Sequence, residues 1–143
     1  KIAVAQQGWL RTPHLQFVYA NALEYPLPES DAFILNDILH YMNYEHQRTL
    51  LLRCMEQLRP GGKLIVRDGN AANTRKHRLT RFTELLSTGI FSFNKTTEQL
   101  CFTSEAQIRS IAQEGGMQLE ILPNDRYTSN TIYIFQKNKP EHE

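Results

Sequence analysis

The sequence has few cysteines, no long apolar run and almost no net charge. Its two cysteines, Cys54 and Cys101, lie in apolar stretches of the 143 residues. They cannot form a disulfide framework and have no His or Cys at metal-ligand spacing, so we expect reduced thiols, a cytoplasmic location and no metal site. No apolar run approaches the roughly 18 residues of a membrane-spanning helix. A net charge of +1 provides no field that would attract nucleic acid.

Glycine is also scarce, with seven residues in all, and only Gly8 precedes the pair at Gly61 and Gly62. Gly8 stands alone in the stretch QQGWL, so the Gly-x-Gly-x-x-Gly fingerprint of a nicotinamide-binding fold is absent. That absence disfavours a nicotinamide-dependent oxidoreductase. The first residue is Lys1, and a helical pattern opens at residues 2–11 without an N-cap, which predicts a domain cut from a longer protein.

Residues 31–67 contain the strongest pattern, which is strand, helix and strand. An apolar run at residues 32–35 predicts a strand buried on both faces, as in a parallel sheet. Asn43 is a predicted N-cap, and the helix that follows it is predicted to end at Pro-Gly-Gly, residues 60–62. Residues 63–66 form the second predicted strand. A unit of this kind indicates an α/β fold with a parallel sheet.

The rest of the chain adds elements around this unit. A run at residues 15–20 predicts another buried strand, and residues 74–87 predict a helix that opens with a basic cluster. A Ser-x-x-Gln capping box at residues 104–107 precedes a helix that is predicted to end at a Gly-Gly pair. The last two predicted strands, residues 118–122 and 131–136, flank a polar, turn-rich segment and should form an antiparallel hairpin.

Four motifs, in this order, resemble the class I S-adenosylmethionine-dependent methyltransferases. Tyr-Ala-Asn-Ala at residues 19–22 is similar to the family's Gly-Asp-Ala beside the cofactor adenine. DAFILNDILHY at residues 31–41 is similar to the family's fourth strand and the turn beyond it. LRPGGKL at residues 58–64 is similar to the entry of the fifth strand. Gly-Gly-Met at residues 115–117, followed by two strands, resembles the last helix and the reversed final hairpin.

The resemblance implies a three-layer, Rossmann-like α/β fold that is N-terminally truncated and ends in an antiparallel hairpin. Residues 1–143 would form a partial methyltransferase domain. The family's Gly-rich loop after its first strand, and the acidic residue that binds the ribose hydroxyls, have no counterpart here. In the family's sheet order, the two missing strands lie between those predicted at residues 15–20 and 32–35. A larger parent chain or a dimer would have to cover the exposed sheet edge.

By the same resemblance, four residues are candidates for binding S-adenosylmethionine. Asn21 stands in place of the family's Asp, and its amide carbonyl could still accept a hydrogen bond from adenine, with Ala22 beside it. Asn36 and Asp37 follow the family's fourth strand, at the carboxyl edge where open α/β sheets bind ligands. The alternative for Asn21, Asn36 and Asp37 is a simple turn, because Asn and Asp favour turns.

His40 is the candidate catalytic base, because a neutral imidazole can take the proton of the acceptor group during methyl transfer. The alternative is a packed histidine in a protein that catalyses by proximity alone. Tyr41 could form an aromatic wall for the substrate or a core contact. Arg67 and Asp68, at the end of the next strand, could bind substrate or form a local ion pair.

The predicted activity of the intact parent protein is methyl transfer from S-adenosylmethionine to a small-molecule or lipid-like acceptor. The fragment alone is predicted to be inactive, because half of the cofactor site is missing. The alternative is a non-catalytic, methyltransferase-like module of a larger multidomain protein. An upstream sequence that carries the Gly-rich loop and the ribose-binding acid would favour the enzyme, and an upstream sequence without them would favour the module.

Overall fold

A computed structural model describes residues 14–69, 101–122 and 130–139. The helices predicted at residues 2–11 and 74–87, together with the basic start of the second, lie outside the described residues. The strand–helix–strand unit, the capping-box helix and both strands of the final hairpin lie within them.

The described elements alternate between strand and helix and end in a hairpin. In chain order they are β1 (Ser30–Asn36), a single 3-10 turn (Leu39–Tyr41), α1 (Tyr44–Glu56), β2 (Leu58–Gly69), α2 (Glu105–Glu114), β3 (Gln118–Leu122) and β4 (Asn130–Gln136). They form one sheet in the order β1-β2-β4-β3, in which β1 and β2 are parallel and β4 is antiparallel to both of its neighbours. This arrangement confirms the predicted α/β fold and its antiparallel hairpin.

Both helices begin where the sequence predicts an N-cap. The Asn43 side chain accepts a hydrogen bond from the His46 amide at 2.9 Å. At α2, the Ser104 side chain accepts from the Gln107 amide while the Gln107 side chain accepts from the Ser104 amide, which completes the capping box. Each bond satisfies an amide that the first helical turn would leave without a partner. The predicted starts of both helices are therefore confirmed.

The core lies between these two helices and one face of the sheet. Side chains alternate along β2 and β4, so that Leu64, Val66, Tyr133 and Phe135 share the inner face and are buried. The helices cover them with the buried residues Leu50, Leu51, Cys54, Met55, Ile108, Ile111 and Ala112. An ion pair between Arg48 on α1 and Glu114 on α2 joins the helices. The described residues thus provide the sheet and one helical layer.

Two expectations about strands are wrong. Residues 15–20 are exposed and form no strand, and Tyr19 is 92% exposed. β1 exists, but it is buried on one face only, because Phe33 and Leu35 pack against the core while Ile34, on the other face, is 70% exposed. A strand is buried on both faces only when a layer packs on each face, and within the described ranges both helices cover the face of Leu64 and Val66, opposite to Ile34.

The Pro-Gly-Gly segment at residues 60–62 does not end the helix as predicted. α1 ends at Glu56, and the segment lies inside β2, at an irregularity in its pairing with β1. Gly61 has φ +78°, a left-handed conformation that glycine adopts without strain, and its N–H donates to Lys137 O at 3.1 Å. The Lys137 ammonium donates to Glu56 O at 3.2 Å, at the end of α1, and to Leu58 O at 2.7 Å, at the start of β2.

Candidate active site

A tight turn carries the chain from β1 into α1 at the carboxyl edge of the sheet. Asp37, the first residue after β1, has φ +54°, in the left-handed region that Asp tolerates better than most residues. Its N–H donates to Arg67 O at 2.8 Å, which extends the pairing with β2 by one bond. The chain then closes into the 3-10 turn, where Leu39 and His40 are buried. The turn therefore brings His40 beside the end of β2.

Asp68, near the end of β2, is the hydrogen-bond partner of His40. Its Oδ1 lies 2.6 Å from His40 Nδ1 and also accepts from Gly69 N at 2.7 Å. Its Oδ2 accepts from Leu39 N at 2.7 Å and from His40 N at 3.3 Å. Both side chains are buried, with 7% of His40 and 4% of Asp68 exposed. Asp68, predicted to bind substrate, thus has both carboxylate oxygens engaged with the protein.

This pairing determines what the imidazole of His40 can do. An ionised carboxylate only accepts hydrogen bonds, so in the neutral imidazole that faces it Nδ1 carries the proton and Nε2 carries the lone pair. In general base catalysis, a carboxylate placed in this way orients the histidine and stabilises its imidazolium form. The pair is therefore suited to accept a proton at Nε2 of His40, with Asp68 acting through the imidazole.

Gln47 of α1 lies fully buried beside the same turn, at 0% exposure. Its Nε2 is within hydrogen-bond distance of Leu39 O (3.0 Å), Met42 O (2.9 Å) and Cys101 O (2.7 Å). Its Oε1 accepts from the Thr103 hydroxyl. The sequence interpretation missed this residue, although a signal is present. Gln47 falls at helical spacing with three buried apolar residues of α1, which places a polar side chain on the buried face.

Two aromatic rings adjoin the His40 imidazole. The centroid of the Tyr41 ring lies 4.1 Å away, and that of the Phe102 ring lies 5.6 Å away in a stacked orientation. Gly69 permits this approach, because a Cβ on Gly69 would lie 2.8 Å from the Phe102 ring. Tyr41, the predicted aromatic wall, is exposed on one side and can contact a ligand as well as His40.

Arg67 lies on the face of β2 opposite to Asp68, among the predicted cofactor residues. Its guanidinium pairs with the Asp37 carboxylate and lies 3.3 Å from Asn36 Oδ1. Asn130, at the start of β4, donates to Asp37 Oδ1 at 2.9 Å. The side chains of Arg67 and Asp37 are both partly exposed, so this cluster borders solvent. The local ion pair considered for Arg67 is present, with Asp37 as its partner.

The structure does not bring Asn21 and Ala22 to either cluster. Asn21 Oδ1 accepts from Leu23 N at 3.1 Å, which makes the local turn considered as its alternative. Arg53, in the last turn of α1, donates to Ala22 O at 3.0 Å and holds this segment there. His40 lies before the first turn of α1, whereas Arg53 lies in the last turn. Cofactor contact at Asn21 and Ala22 stays a prediction.

Comparison with known proteins places this chain in a family. The model of a family described as the O-methyltransferase domain matches residues 2–118. The chain belongs to this O-methyltransferase domain family. The match covers most of the chain, including β1, β2 and the His40 turn, and it confirms the resemblance to class I S-adenosylmethionine-dependent methyltransferases.

Individual relatives are similar over different parts of their length. The chain is 35% identical over 57 residues to the 8-O-methyl transferase TcmO of tetracenomycin polyketide synthesis from Streptomyces glaucescens, covering 40% of this chain and 17% of TcmO. Human N-acetylserotonin methyltransferase, in complex with S-adenosylmethionine, has a TM-score of 0.68 at 19% identity, covering 96% of this chain and 38% of that protein. The N-methyltransferase NodS from Bradyrhizobium japonicum WM9, in complex with S-adenosylhomocysteine, has a TM-score of 0.66 at 19% identity, covering 98% of this chain and 62% of NodS.

These matches establish the Rossmann-like methyltransferase fold. The chain spans less than two thirds of the length of each of the three relatives. Across the part of the chain that the structure describes, no helix has the length and apolar character needed to cross a membrane. Over the same residues, no group of three His, Cys, Asp or Glu side chains lies close enough together to hold a metal ion.

Proposed function

We propose that the intact protein transfers a methyl group from S-adenosylmethionine to a hydroxyl oxygen of a small-molecule or lipid-like acceptor, with His40 as the base. The observation that carries the proposal is the buried hydrogen bond of 2.6 Å between His40 Nδ1 and Asp68 Oδ1. Membership of the O-methyltransferase domain family supports a hydroxyl oxygen as the methyl acceptor.

His40 performs the proton transfer in this proposal. An alcohol or phenol oxygen becomes a stronger nucleophile as its proton leaves, and Nε2 of His40 accepts that proton. The imidazolium that forms is stabilised by the Asp68 carboxylate, which already holds Nδ1–H. Tyr41, beside the imidazole and partly exposed, provides an aromatic surface for the acceptor. Asp68 is therefore a positioning residue rather than a group that touches the acceptor.

The polar groups at the carboxyl edge of the sheet are suited to bind S-adenosylmethionine. Asn36 has an exposed amide, and the Asp37 carboxylate is partly exposed, so both can accept from the ammonium or hydroxyl groups of the cofactor. Arg67 holds Asp37 in place rather than binding the acceptor, because its guanidinium lies on the cofactor face of β2. When bound, S-adenosylmethionine supplies a methyl group activated by a sulfonium.

We also propose that residues 1–143 are part of a longer methyltransferase domain and that the fragment alone is inactive. The support is the edge of β1, which pairs with β2 alone within the described ranges, together with the exposed apolar side chain of Ile34 on the sheet face that the described helices leave uncovered. The free thiols Cys54 and Cys101 support a reducing, cytoplasmic location for the parent protein.

The test is calorimetric titration of S-adenosylhomocysteine into this chain and into the chain extended upstream by about 60 residues, roughly two strand–helix units of ~30 residues each. We expect binding by the longer protein and, for this chain alone, a dissociation constant weaker than about 10 μM. In the longer protein, Asn36→Ala should weaken binding by about tenfold or more.

The matched control is Asp31→Ala, at the other end of β1, where an exposed side chain pairs with Arg59. It should leave the affinity for S-adenosylhomocysteine unchanged. If neither protein binds S-adenosylhomocysteine, the non-catalytic module replaces the enzyme as the best interpretation. Tight binding by the 143-residue chain would contradict the proposal that the fragment is incomplete.

A further inference from the structure

We propose that Gln47 is a positioning residue for the His40 base, acting through the main chain on both sides of the imidazole. The inference rests on the proposed function of His40 and assigns a role to a residue outside the His40–Asp68 pair. The hydrogen bonds described for Gln47 reach neither the imidazole nor the reacting atoms. Any effect of Gln47 on His40 must therefore pass through two segments of the chain, the His40 turn and residues 101–103.

The first of these segments is the turn that carries His40. Gln47 Nε2 reaches the carbonyl of Leu39, immediately before His40, and the carbonyl of Met42, two residues after it. The 3-10 turn is a single turn, and its own backbone bonds satisfy few of its polar groups. The two N–H groups of Gln47 are shared among these two carbonyls and that of Cys101, so the amide connects to both ends of the His40 turn.

The second segment is the stretch at residues 101–103, which lies across the imidazole. Cys101 N donates to His40 O at 3.0 Å, and Cys101 O accepts from Gln47 Nε2 at 2.7 Å. The Phe102 ring stacks on the imidazole, and the Thr103 hydroxyl donates to Gln47 Oε1. One buried amide thus joins the two segments that enclose His40.

The cost of burying Gln47 makes a purely packing role a poor explanation. Neighbouring positions on the same face of α1 hold Leu50, Leu51 and Cys54, so a leucine or methionine would extend the core at this position. A buried amide is tolerated only when its polar atoms are satisfied, and here donors and acceptor are all used. The amide holds His40 in a defined position relative to Asp68. An apolar side chain cannot do so, because it forms no hydrogen bonds with the His40 turn.

The experiment compares wild-type protein with Gln47→Met, which has similar size and no hydrogen-bond donor, and with Thr103→Val, which removes only the hydroxyl. The readout is the Nδ1 proton resonance of His40 and its exchange rate with water, followed by NMR. We expect the exchange rate to rise at least about tenfold in Gln47→Met, and less in Thr103→Val, because the turn loses donors at both ends.

The matched control is Ile108→Val, a fully buried residue of α2 that forms none of these hydrogen bonds. It should lower the melting temperature while leaving the Nδ1 proton resonance unchanged. If Gln47→Met leaves the resonance and its exchange rate unchanged, or if Ile108→Val alters them equally, the positioning role is overturned.

The same variants in the longer protein separate this inference from the proposed function. In Gln47→Met, we expect kcat for methyl transfer to fall about tenfold to a hundredfold with KM for S-adenosylmethionine unchanged, because a base displaced by a fraction of an ångström is less effective. If His40→Ala retains full methyl transfer, the proposed function fails, whatever the Nδ1 proton of the Gln47 variant shows. If His40→Ala is inactive and Gln47→Met keeps its Nδ1 proton, the positioning inference alone fails.

Discussion

Arg67 and Asp68 are consecutive residues of β2 whose side chains lie on opposite faces of the sheet. Arg67 pairs with Asp37 at a surface that borders solvent, whereas Asp68 binds the buried imidazole of His40. Strand geometry requires this separation, because successive Cβ atoms point to opposite faces. One strand end therefore serves two sites: the predicted cofactor edge on one face and the proposed catalytic base on the other.

Replacing the two carboxylates of these sites should have unequal effects. Asp68→Asn removes the charge that accepts hydrogen bonds from His40, Leu39 and Gly69, and its new amide hydrogens would face these donors. We expect a loss of about 1–3 kcal/mol in the free energy of unfolding, measured by urea denaturation. Asp37→Asn should cost less than about 1 kcal/mol, because the pair with Arg67 is partly exposed and Asn also tolerates a left-handed backbone. Equal losses would show that Asp68 is not held as described.

Gly69→Ala should disturb the packing of Phe102 against His40. The added Cβ would lie 2.8 Å from the Phe102 ring, and the ring must move to accept it. We expect a destabilisation of about 1–3 kcal/mol by thermal unfolding. In a Phe102→Leu background the same change should cost clearly less, since the obstructing ring is absent. Additive effects of the two substitutions would contradict the close approach of Gly69 and Phe102.

Ser104→Ala should weaken α2 at its first turn. The substitution removes the acceptor for Gln107 N and half of the reciprocal capping box. We expect a loss of about 1 kcal/mol in the free energy of unfolding. Ser110→Ala, on the exposed side of the same helix, should be neutral or slightly stabilising, because alanine has the higher helix propensity. Chemical denaturation of both variants tests the difference.

The buried thiol of Cys54 should make the protein less stable in alkaline solution. Burial raises the pKa of Cys54 from 9.0 to about 11. The folded state keeps its proton over this range while the unfolded state loses it, so the free energy of unfolding falls as pH rises from about 9 to 11, by about 2–3 kcal/mol. In Cys54→Ala, the free energy of unfolding should fall less over the same pH range, because no buried thiol titrates. Tyr133, whose pKa burial also raises, contributes equally to both proteins, so the difference between their curves isolates Cys54.

Ile34→Lys tests the sheet face that the described helices leave uncovered. Ile34 is largely exposed in this chain, so the substitution should change the free energy of unfolding by less than about 0.5 kcal/mol and should reduce self-association, measured by light scattering at increasing concentration. In the protein extended upstream, where we propose that further strand–helix units extend the sheet and cover this face, the same change should destabilise by at least about 2 kcal/mol. Similar effects in both proteins would contradict that part of the proposal.

Much of the candidate site could be predicted one residue at a time, but not its connections. His40, Tyr41 and Asp68 carry side chains suited to catalysis and follow predicted strands, so a local pattern indicates them. The hydrogen bond between His40 and Asp68 joins residues that are 28 positions apart in the sequence. The sequence pattern did not predict whether Arg67 or Asp68 would face the imidazole. Gln47 was missed for a related reason, since its partners at Leu39, Met42 and Cys101 come together only in the folded chain.

The sequence by itself determined the N-caps of the two described helices, the strand–helix–strand unit, the final hairpin and the family, because these depend on local propensity, periodicity and motif spacing. Only the tertiary structure decided that residues 15–20 form no strand, that one face of β1 is exposed and that Pro-Gly-Gly belongs to β2. It also decided that Asp68 serves His40 while Arg67 serves Asp37. The physical reason is that strand pairing, burial and hydrogen bonding depend on which segments become neighbours, and one stretch of chain cannot specify its neighbours alone.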